Sequence, residues 1–350
     1  MNSQIEKVDI ASSRYKRFAV AIVGILLLAT FSVVICELLV RFCKPQEYMY
    51  PRYKYSENYG AVYYENTKMI HRMPRRYSFV YTINEYGYRG PAVPISNHYE
   101  RKNIVVLGDS YSFGTGVNDG QEYPAVLQRA LEPEYNVINL GCGGYGLTQE
   151  IRRFYEFGRL YDPKVVLLQF CDNDPSDNFL NRVTEVEGRT FKFRRTNNQL
   201  AGIKRYLSYS ILQKSQLYNF CRNLVYNAAR KEQMVRAQGT LGVDAVKDGD
   251  GSVSLQEKYY NELLDSFARD LRERGIRFQM ISINNELNGF PLIMQKVREL
   301  NAEGLCEYVD VVPWFSGVTN YGTPEGHHLW GARADAIVGT NLAVVIRGSR

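Results

Sequence analysis

Three short apolar segments of this chain each end at residues that could bind or attack a substrate. The first covers residues 104–107 and stops at a Gly-Asp-Ser turn that ends in Ser110, and the next two end shortly before Gly144 and Asn173. Near-continuous apolar runs are typical of parallel strands covered on both faces, and open α/β sheets place their sites at the carboxyl ends of such strands. The pattern therefore predicts that Ser110, Gly144 and Asn173 share one edge of a parallel sheet.

A serine hydroxyl is a weak nucleophile and needs a neighbouring base. The chain has four histidines, and two of them, His327 and His328, stand just before the last predicted helix. Histidine titrates close to neutral pH, and a carboxylate such as Glu325, three residues before His328, can hold the imidazole in the required tautomer. These residue types indicate Ser110 as nucleophile, His328 or its rival His327 as base, and Glu325 as a candidate orienting acid.

Attack on an ester carbonyl creates an oxyanion, which hydrogen-bond donors must stabilise. The candidate donors are the backbone N–H groups of Ser110 and Gly144 and the side-chain amide of Asn173. Glycine lets the backbone approach a substrate closely, and asparagine offers two N–H groups without a charge. The alternative is that these residues only form ordinary turns after strands.

Serine, glycine, asparagine and histidine follow one another here in the order of the four blocks of the SGNH/GDSL hydrolase family, which this chain resembles. The resemblance includes the residues beside each of the four. The matching stretches are Gly108-Asp109-Ser110 for the first block, Asn139-x-Gly141-x-x-Gly144 for the second, Asn173-Asp174 for the third, and Glu325-Gly326-His327-His328-Leu329 for the fourth, which has glutamate where the family has aspartate.

The resemblance covers about residues 100–350. It implies a three-layer α/β/α domain of flavodoxin-like kind with a parallel sheet. It also implies hydrolysis of a carboxylic ester, or acyl transfer, with Ser110, His328 and Glu325 as catalytic residues and Ser110, Gly144 and Asn173 as the oxyanion hole. No metal or organic cofactor is implied.

Alternating strand and helix patterns in this part of the chain independently predict a parallel sheet with crossover helices. Helices are expected over residues 123–131 and 148–161. The alternation stops after residue 174, and the polar, basic and partly helical residues 175–254 are predicted to form an insertion near the site. A further helix is predicted over 255–274. Residues 246–257 match a calcium-binding loop apart from its first ligand, so calcium remains a lesser alternative there.

Residues 18–36 form an uncharged apolar run that is long enough to cross a bilayer as a helix. A cleaved signal peptide is the alternative, but the apolar core exceeds the usual length of about 7–15 residues and no small-x-small cleavage site follows. We predict a transmembrane helix over residues 18–40. Basic residues cluster just before it and favour a cytoplasmic segment over residues 1–17, so the body of the protein is expected outside the cytoplasm.

A tyrosine-rich extension, defined here as residues 41–100, separates the membrane segment from the predicted domain 101–350. Its tyrosines are expected to pack an irregular extension against the domain, and stacking on sugars or contact with lipid are the alternatives. The extension ends in an Asn-x-x-Gly-x-Arg-Gly stretch, residues 84–90, which resembles one that precedes the first block in membrane-anchored bacterial members of the family.

Cys142 and Cys171 could form a disulfide or remain two buried thiols.

Composition narrows the function further. The formal net charge of +6 is modest and the cationic residues are interspersed with acids, so nucleic-acid binding is not expected. The six cysteines form no metal-ligand cluster in sequence. The resemblance and the membrane segment together imply an extracytoplasmic serine esterase acting on an acylated, for example acetylated, surface glycan, with a lipid or thioester substrate as the runner-up. The alternatives are an O-acyltransferase subunit working with a membrane acyl donor protein, and a non-catalytic anchored glycan-binding or scaffold protein.

Overall fold

The structure, a computed structural model, describes residues 2–196, 212–225, 250–323 and 328–348. The chain begins with helix α1 (Asn2–Cys43). Within α1, the segment Lys16–Cys43 is long and apolar enough to cross a membrane: it has 28 residues, and its most apolar window has a mean hydropathy of 2.8 with none of that window buried. This helix is a candidate membrane span.

The extension contains two small antiparallel sheets, whereas the sequence predicted an irregular segment. Alternation of exposed and buried residues along the fourth strand, with Met69 and His71 turned inward, explains why it forms a half-buried strand. The first sheet has the order β1-β4-β5 and the second is the pair β2-β3. The strands are β1 (Tyr48–Tyr50), β2 (Lys54–Ser56), β3 (Gly60–Val62), β4 (Thr67–Met73) and β5 (Tyr77–Ile83).

A parallel sheet forms the centre of the molecule and confirms the predicted α/β class. Among the described residues it has five strands in the order β12-β11-β8-β6-β7, and every pairing between them is parallel. Its strands are β6 (Lys102–Leu107), β7 (Tyr135–Asn139), β8 (Pro163–Phe170), β11 (Arg277–Ser282) and β12 (Glu307–Val309).

Helices cover both faces of this sheet, which gives the three layers that the resemblance implies. Alternate residues of β6 point to opposite cores: Ile104 and Val106 face one set of helices, and Val105 and Leu107 face the other. The first face is covered by α3 (Tyr123–Leu131) and α8 (Ala332–Gly348), and the second by α4 (Leu147–Glu156), α6 (Asp250–Glu273) and α7 (Pro291–Ala302).

Several predicted elements differ from the observed ones at their ends. Helix α4 stops at Glu156 because Phe157 leaves the helical conformation, and a separate 3-10 turn, Gly158–Tyr161, follows. Helix α6 begins at Asp250, five residues before the predicted start, so residues 250–257 are helical rather than a calcium-binding loop. The predicted insertion also contains a β-hairpin, β9 (Thr184–Glu187) and β10 (Thr190–Phe193), in addition to helix α5 (Asp174–Leu180) and helical residues 216–225.

Candidate active site

Ser110 lies at the carboxyl end of β6, where the chain turns into a four-residue helix, α2 (Ser110–Phe113). The turn depends on Gly108, whose φ is +153°. A Cβ at this position would lie 2.3 Å from Ser112 Oγ and 2.6 Å from Gln169 Oε1, so no larger residue fits. Crowding beneath Gly108 therefore fixes where the chain leaves the strand and places Ser110 at the edge of the sheet.

His328 lies beside Ser110. Its Nε2 lies 2.8 Å from Ser110 Oγ, within the range for a nucleophile and its base. The same hydroxyl lies 3.3 Å from Asp109 Oδ2, a longer contact, while the other oxygen of Asp109 accepts the Tyr111 N–H at 2.9 Å and caps α2. The arrangement permits proton transfer between Ser110 and His328.

Tyr111 contacts the His328 ring, and Thr323 holds the His328 backbone. The Tyr111 ring meets it edge to face with 4.6 Å between centroids, and the Tyr111 hydroxyl accepts the Leu329 N–H at 3.1 Å. Thr323 Oγ1 accepts the backbone N–H of His328 at 3.1 Å, and the backbone N–H of Thr323 donates to the His328 carbonyl at 3.1 Å. These contacts fix both the ring and the backbone that carries it.

The other two members of the fourth block, Glu325 and His327, lie outside the described residues. Glu325 as orienting acid and His327 as rival base therefore stay predictions.

The segment 141–146, here named the glycine loop, passes beside Ser110. Asn139 joins the two, because its amide donates to the Ser112 carbonyl at 2.7 Å and its Oδ1 accepts the Gly141 N–H at 3.1 Å. A Cβ built on Gly143 would lie 3.7 Å from Ser110 Cβ. Gly144 is exposed with φ of +79°, and the space around its Cβ position is open, so a substrate can approach this residue.

Asn173 precedes α5 and lies at the end of β8, the strand next to β6, so it shares the sheet edge with Ser110. Its side-chain amide donates to Asp177 Oδ2 at 2.7 Å, which uses one of the two amide hydrogens and fixes the plane of the group. The neighbouring Asp174 is buried and accepts the Cys171 N–H at 2.9 Å, which holds the turn that carries Asn173.

Three buried carboxyl groups lie close together beneath this edge of the sheet. Burial, followed by the charge of Asp109, raises the pKa of Glu150 on α4 well above its usual value. Burial, followed by the charges of Glu150 and Asp109, has the same effect on the pKa of Asp174. The protonated forms of Glu150 and Asp174 are thereby favoured. Glu150 was not predicted from the sequence, because its burial among the other residues of α4 is set by the fold.

A second group missed from the sequence lies at the same edge, between β8 and β11. Burial, and after it the charge of Asp172, raises the pKa of Glu286 to about 7. Glu286 accepts the Asp172 N–H at 3.1 Å, and ligand atoms of Cys171, Asp172 and Glu286 all lie within 4.8 Å of one another.

Cys142 and Cys171 are both buried free thiols, so the disulfide interpretation is wrong and the thiol interpretation holds.

The extension packs directly against this site. Tyr53, Tyr59, Tyr63 and Tyr81 share a core cluster with Phe113 of α2, which supports the expectation that the tyrosines pack the extension onto the domain. Sugar or lipid contact through these four buried rings is thereby excluded.

Arg89 holds the chain that follows α2. Its guanidinium donates to the carbonyls of Phe113 at 2.9 Å, Gly114 at 2.6 Å and Val117 at 2.8 Å. The side chain is fully buried, and Nη2 lies 3.4 Å from the buried carboxylate of Glu122. The last residue of the α2 turn is thus tied to the stretch that resembles the membrane-anchored family members.

Several solved structures are similar to this chain. TesA is 14% identical, covering 71% of this chain and 99% of its own length, with a TM-score of 0.41. A lipase/acylhydrolase from Enterococcus faecalis is 12% identical, with coverages of 71% and 96% and a TM-score of 0.40. A carbohydrate acetylesterase family member from Sinorhizobium meliloti is 15% identical, with coverages of 71% and 98% and a TM-score of 0.36. No protein-family model and no curated protein matches the chain.

Proposed function

We propose that this protein is a membrane-anchored serine esterase of the SGNH/GDSL type. The observation that carries the proposal is the 2.8 Å contact between Ser110 Oγ and His328 Nε2 at the carboxyl edge of a parallel sheet. The four stretches that resemble the family support it, because two of them, far apart in sequence, meet at this contact. Gly144 and Asn173 lie at the same edge, as an oxyanion hole requires.

In the first half of the reaction, His328 Nε2 takes the Ser110 proton while Oγ attacks the ester carbonyl carbon. The resulting oxyanion accepts hydrogen bonds from the N–H groups of Ser110 and Gly144 and from the Asn173 amide. His328 then gives its proton to the departing alcohol oxygen, which leaves an acyl-serine. In the second half, His328 deprotonates a water that attacks the acyl carbonyl, and Ser110 regains its proton as the carboxylic acid leaves. Glu325 is proposed to hold the His328 tautomer.

The substrate is proposed to be an acyl, for example acetyl, ester on a glycan or lipid close to the membrane, outside the cytoplasm. The hairpin β4–β5 supports a site close to the membrane segment α1. Near its tip, the Arg75 guanidinium lies 5.2 Å from the Phe42 ring of α1, and further along, the Tyr81 hydroxyl accepts the Gly116 N–H at 2.8 Å. Between these two contacts the strand residues 77–81 span roughly 14 Å, so one short hairpin connects the end of α1 with the loop after Ser110.

Purified full-length protein in detergent, an activated acetyl ester and a serine-directed organophosphonate test the proposal. We expect hydrolysis of the ester and covalent labelling at Ser110, and we expect Ser110→Ala to lose both. Labelling that persists in Ser110→Ala, or a wild-type protein that neither hydrolyses the ester nor becomes labelled, would overturn the proposal and favour the binding or scaffold role. Faster release of the acyl group from Ser110 when a soluble polysaccharide is added would instead indicate the acyltransferase.

A further inference from the structure

The Gly143–Gly144 peptide group is held from the extension side. The Tyr53 hydroxyl donates to the Gly143 carbonyl at 2.7 Å. The preceding peptide is held as well, because the Gly143 N–H donates to the Tyr63 hydroxyl at 3.0 Å. Two successive peptides of the glycine loop are thus bonded to tyrosines that precede them by 90 and 80 residues.

The bond from Tyr53 also determines where the Gly144 N–H points. The carbonyl of Gly143 and the N–H of Gly144 belong to one planar group and, in a trans peptide, point in opposite directions. With the carbonyl directed at Tyr53, the N–H points away from the extension, and the space around Gly144 on its exposed side is open. Two consecutive glycines allow such a peptide to rotate easily, so an outside contact is needed to fix it.

This peptide lies between the tyrosine and the nucleophile. A Cβ built on Gly143 would be 2.9 Å from the Tyr53 hydroxyl and 3.7 Å from Ser110 Cβ. Resting on the proposed function, we propose that Tyr53 and Tyr63 are positioning residues that aim the Gly144 N–H at the oxyanion. The tyrosine-rich extension is then part of the active site, although none of its residues takes part in the chemistry.

Packing keeps both hydroxyls in place. The rings of Tyr53 and Tyr63 stack with centroids 5.1 Å apart, and Tyr63 stacks in turn on Phe113 of α2 at 4.5 Å. Both tyrosines are buried, and burial raises the pKa of each hydroxyl, so both stay protonated over the working range of an esterase. The positioning bonds therefore do not depend on pH.

Tyr53→Phe removes the bond to the peptide and leaves the ring, and Tyr59→Phe is its matched control. Both tyrosines are 7% exposed members of the same cluster, but the Tyr59 hydroxyl donates to Glu156 at 2.6 Å instead of to the loop. We expect Tyr53→Phe to lower kcat about tenfold or more with KM for the activated ester within about twofold, because the loss falls on oxyanion stabilisation. The rate of phosphonate labelling at Ser110 should fall by the same factor, whereas Tyr59→Phe should match the wild type.

Gly143→Ala is a second way to break the bond between the Tyr53 hydroxyl and the Gly143 carbonyl. The added methyl group would displace the Tyr53 hydroxyl from the carbonyl, so this variant should lose kcat to a similar degree. Tyr53→Phe makes room for that methyl group, and the double variant should therefore be no worse than either single one, which is the signature of one shared interaction. Thermal melts set an assay temperature at which all the variants are folded.

Two results would overturn the inference: a Tyr53→Phe enzyme with the kcat and labelling rate of Tyr59→Phe, or losses in Tyr53→Phe and Gly143→Ala that multiply in the double variant. Failure of the proposed function gives different results: the wild type neither hydrolyses the ester nor becomes labelled, or Ser110→Ala is still labelled. If the wild type is labelled at Ser110 and hydrolyses the ester while Tyr53→Phe is normal, only the positioning role is lost.

Discussion

The α/β domain and the tyrosine-rich extension contribute to the candidate site in different ways. The domain presents Ser110, Gly144 and Asn173 at strand ends, in turns such as that at Gly108 where no larger side chain fits. Two residues of the extension bind main-chain groups of the domain: Tyr53 binds the glycine loop, and Arg89 binds the carbonyls at the end of α2. On the proposed function, the domain supplies the reacting groups, and the extension positions the backbone that carries them.

If this division is correct, removing a reacting group of the domain should abolish activity and leave stability nearly unchanged. His328→Ala is expected to lower kcat/KM by about a thousandfold or more, because Ser110 loses its base. His327→Ala serves as the control and should stay close to the wild type. Ester hydrolysis and thermal melts of both variants measure the split, and full activity in His328→Ala would assign the base to His327.

The opposite outcome is expected for Arg89, whose bonds hold the backbone of both regions together. Arg89→Met leaves the carbonyls of Phe113 and Gly114 and the buried Glu122 carboxylate without their partner, and loss of one member of a buried ion pair typically costs about 3–5 kcal/mol. Arg269→Met, which breaks exposed pairs, should cost less than about 1 kcal/mol. Denaturant unfolding compares the two, and an Arg89→Met protein as stable as Arg269→Met would contradict the role assigned to Arg89.

Replacing Glu150 should change the stability of the protein by a smaller amount, which depends on pH. Its folded-state pKa is well above the ordinary 4.5, so folding favours the protonated form. The associated stability is complete below about pH 4.5 and is lost as pH rises toward the folded pKa, at about 1.4 kcal/mol for each unit of elevation. Glu150→Gln cannot ionise, so it should be more stable than the wild type at pH 7 to 8 and should lose that advantage near pH 4. Thermal melts across this range measure the difference, and parallel curves would show that Glu150 does not titrate as inferred.

The sequence predicted the domain side of this comparison better than the extension side. Helix α3 has its predicted bounds, because Pro124 in its first turn and Pro133 just beyond its end are local signals. Ser110 and Asn173 were predicted at the ends of apolar runs, and those runs became β6 and β8. His328 was predicted as the base from its residue type and from the family resemblance, and its Nε2 lies 2.8 Å from Ser110 Oγ. Each of these signals can be recognised within a few residues.

The contacts of the extension had no such local signal. Tyr53 and Gly143 are 90 residues apart, and the sequence around Tyr53 does not show which tyrosine will reach the glycine loop. The three-residue strands β1, β2 and β3 are too short for an alternating pattern to be recognised. The pKa of Glu286 is also set by tertiary packing, because Asp172 approaches it from a different strand end.

The smallest effect is expected for Glu37, near the end of α1, which caps the helical residues 216–225. The Glu37 carboxylate accepts hydrogen bonds from Ser215 Oγ at 2.8 Å and from the N–H groups of Gln216 and Leu217 at 2.9 Å each. These N–H groups begin the helical residues 216–225, so Glu37 acts as a charged cap supplied by a distant part of the chain.

Glu37→Gln keeps one acceptor oxygen but removes the charge, which should weaken the cap by about 1 kcal/mol. Hydrogen exchange of the full-length protein in detergent should then be roughly fivefold faster in residues 212–225 than in the wild type, with exchange in β6 and β8 unchanged. Glu57→Gln, which breaks an exposed ion pair between Glu57 of the extension and Arg195 of the domain, is the control and should leave residues 212–225 protected. Equal exchange in the two variants would show that α1 does not hold this segment through Glu37.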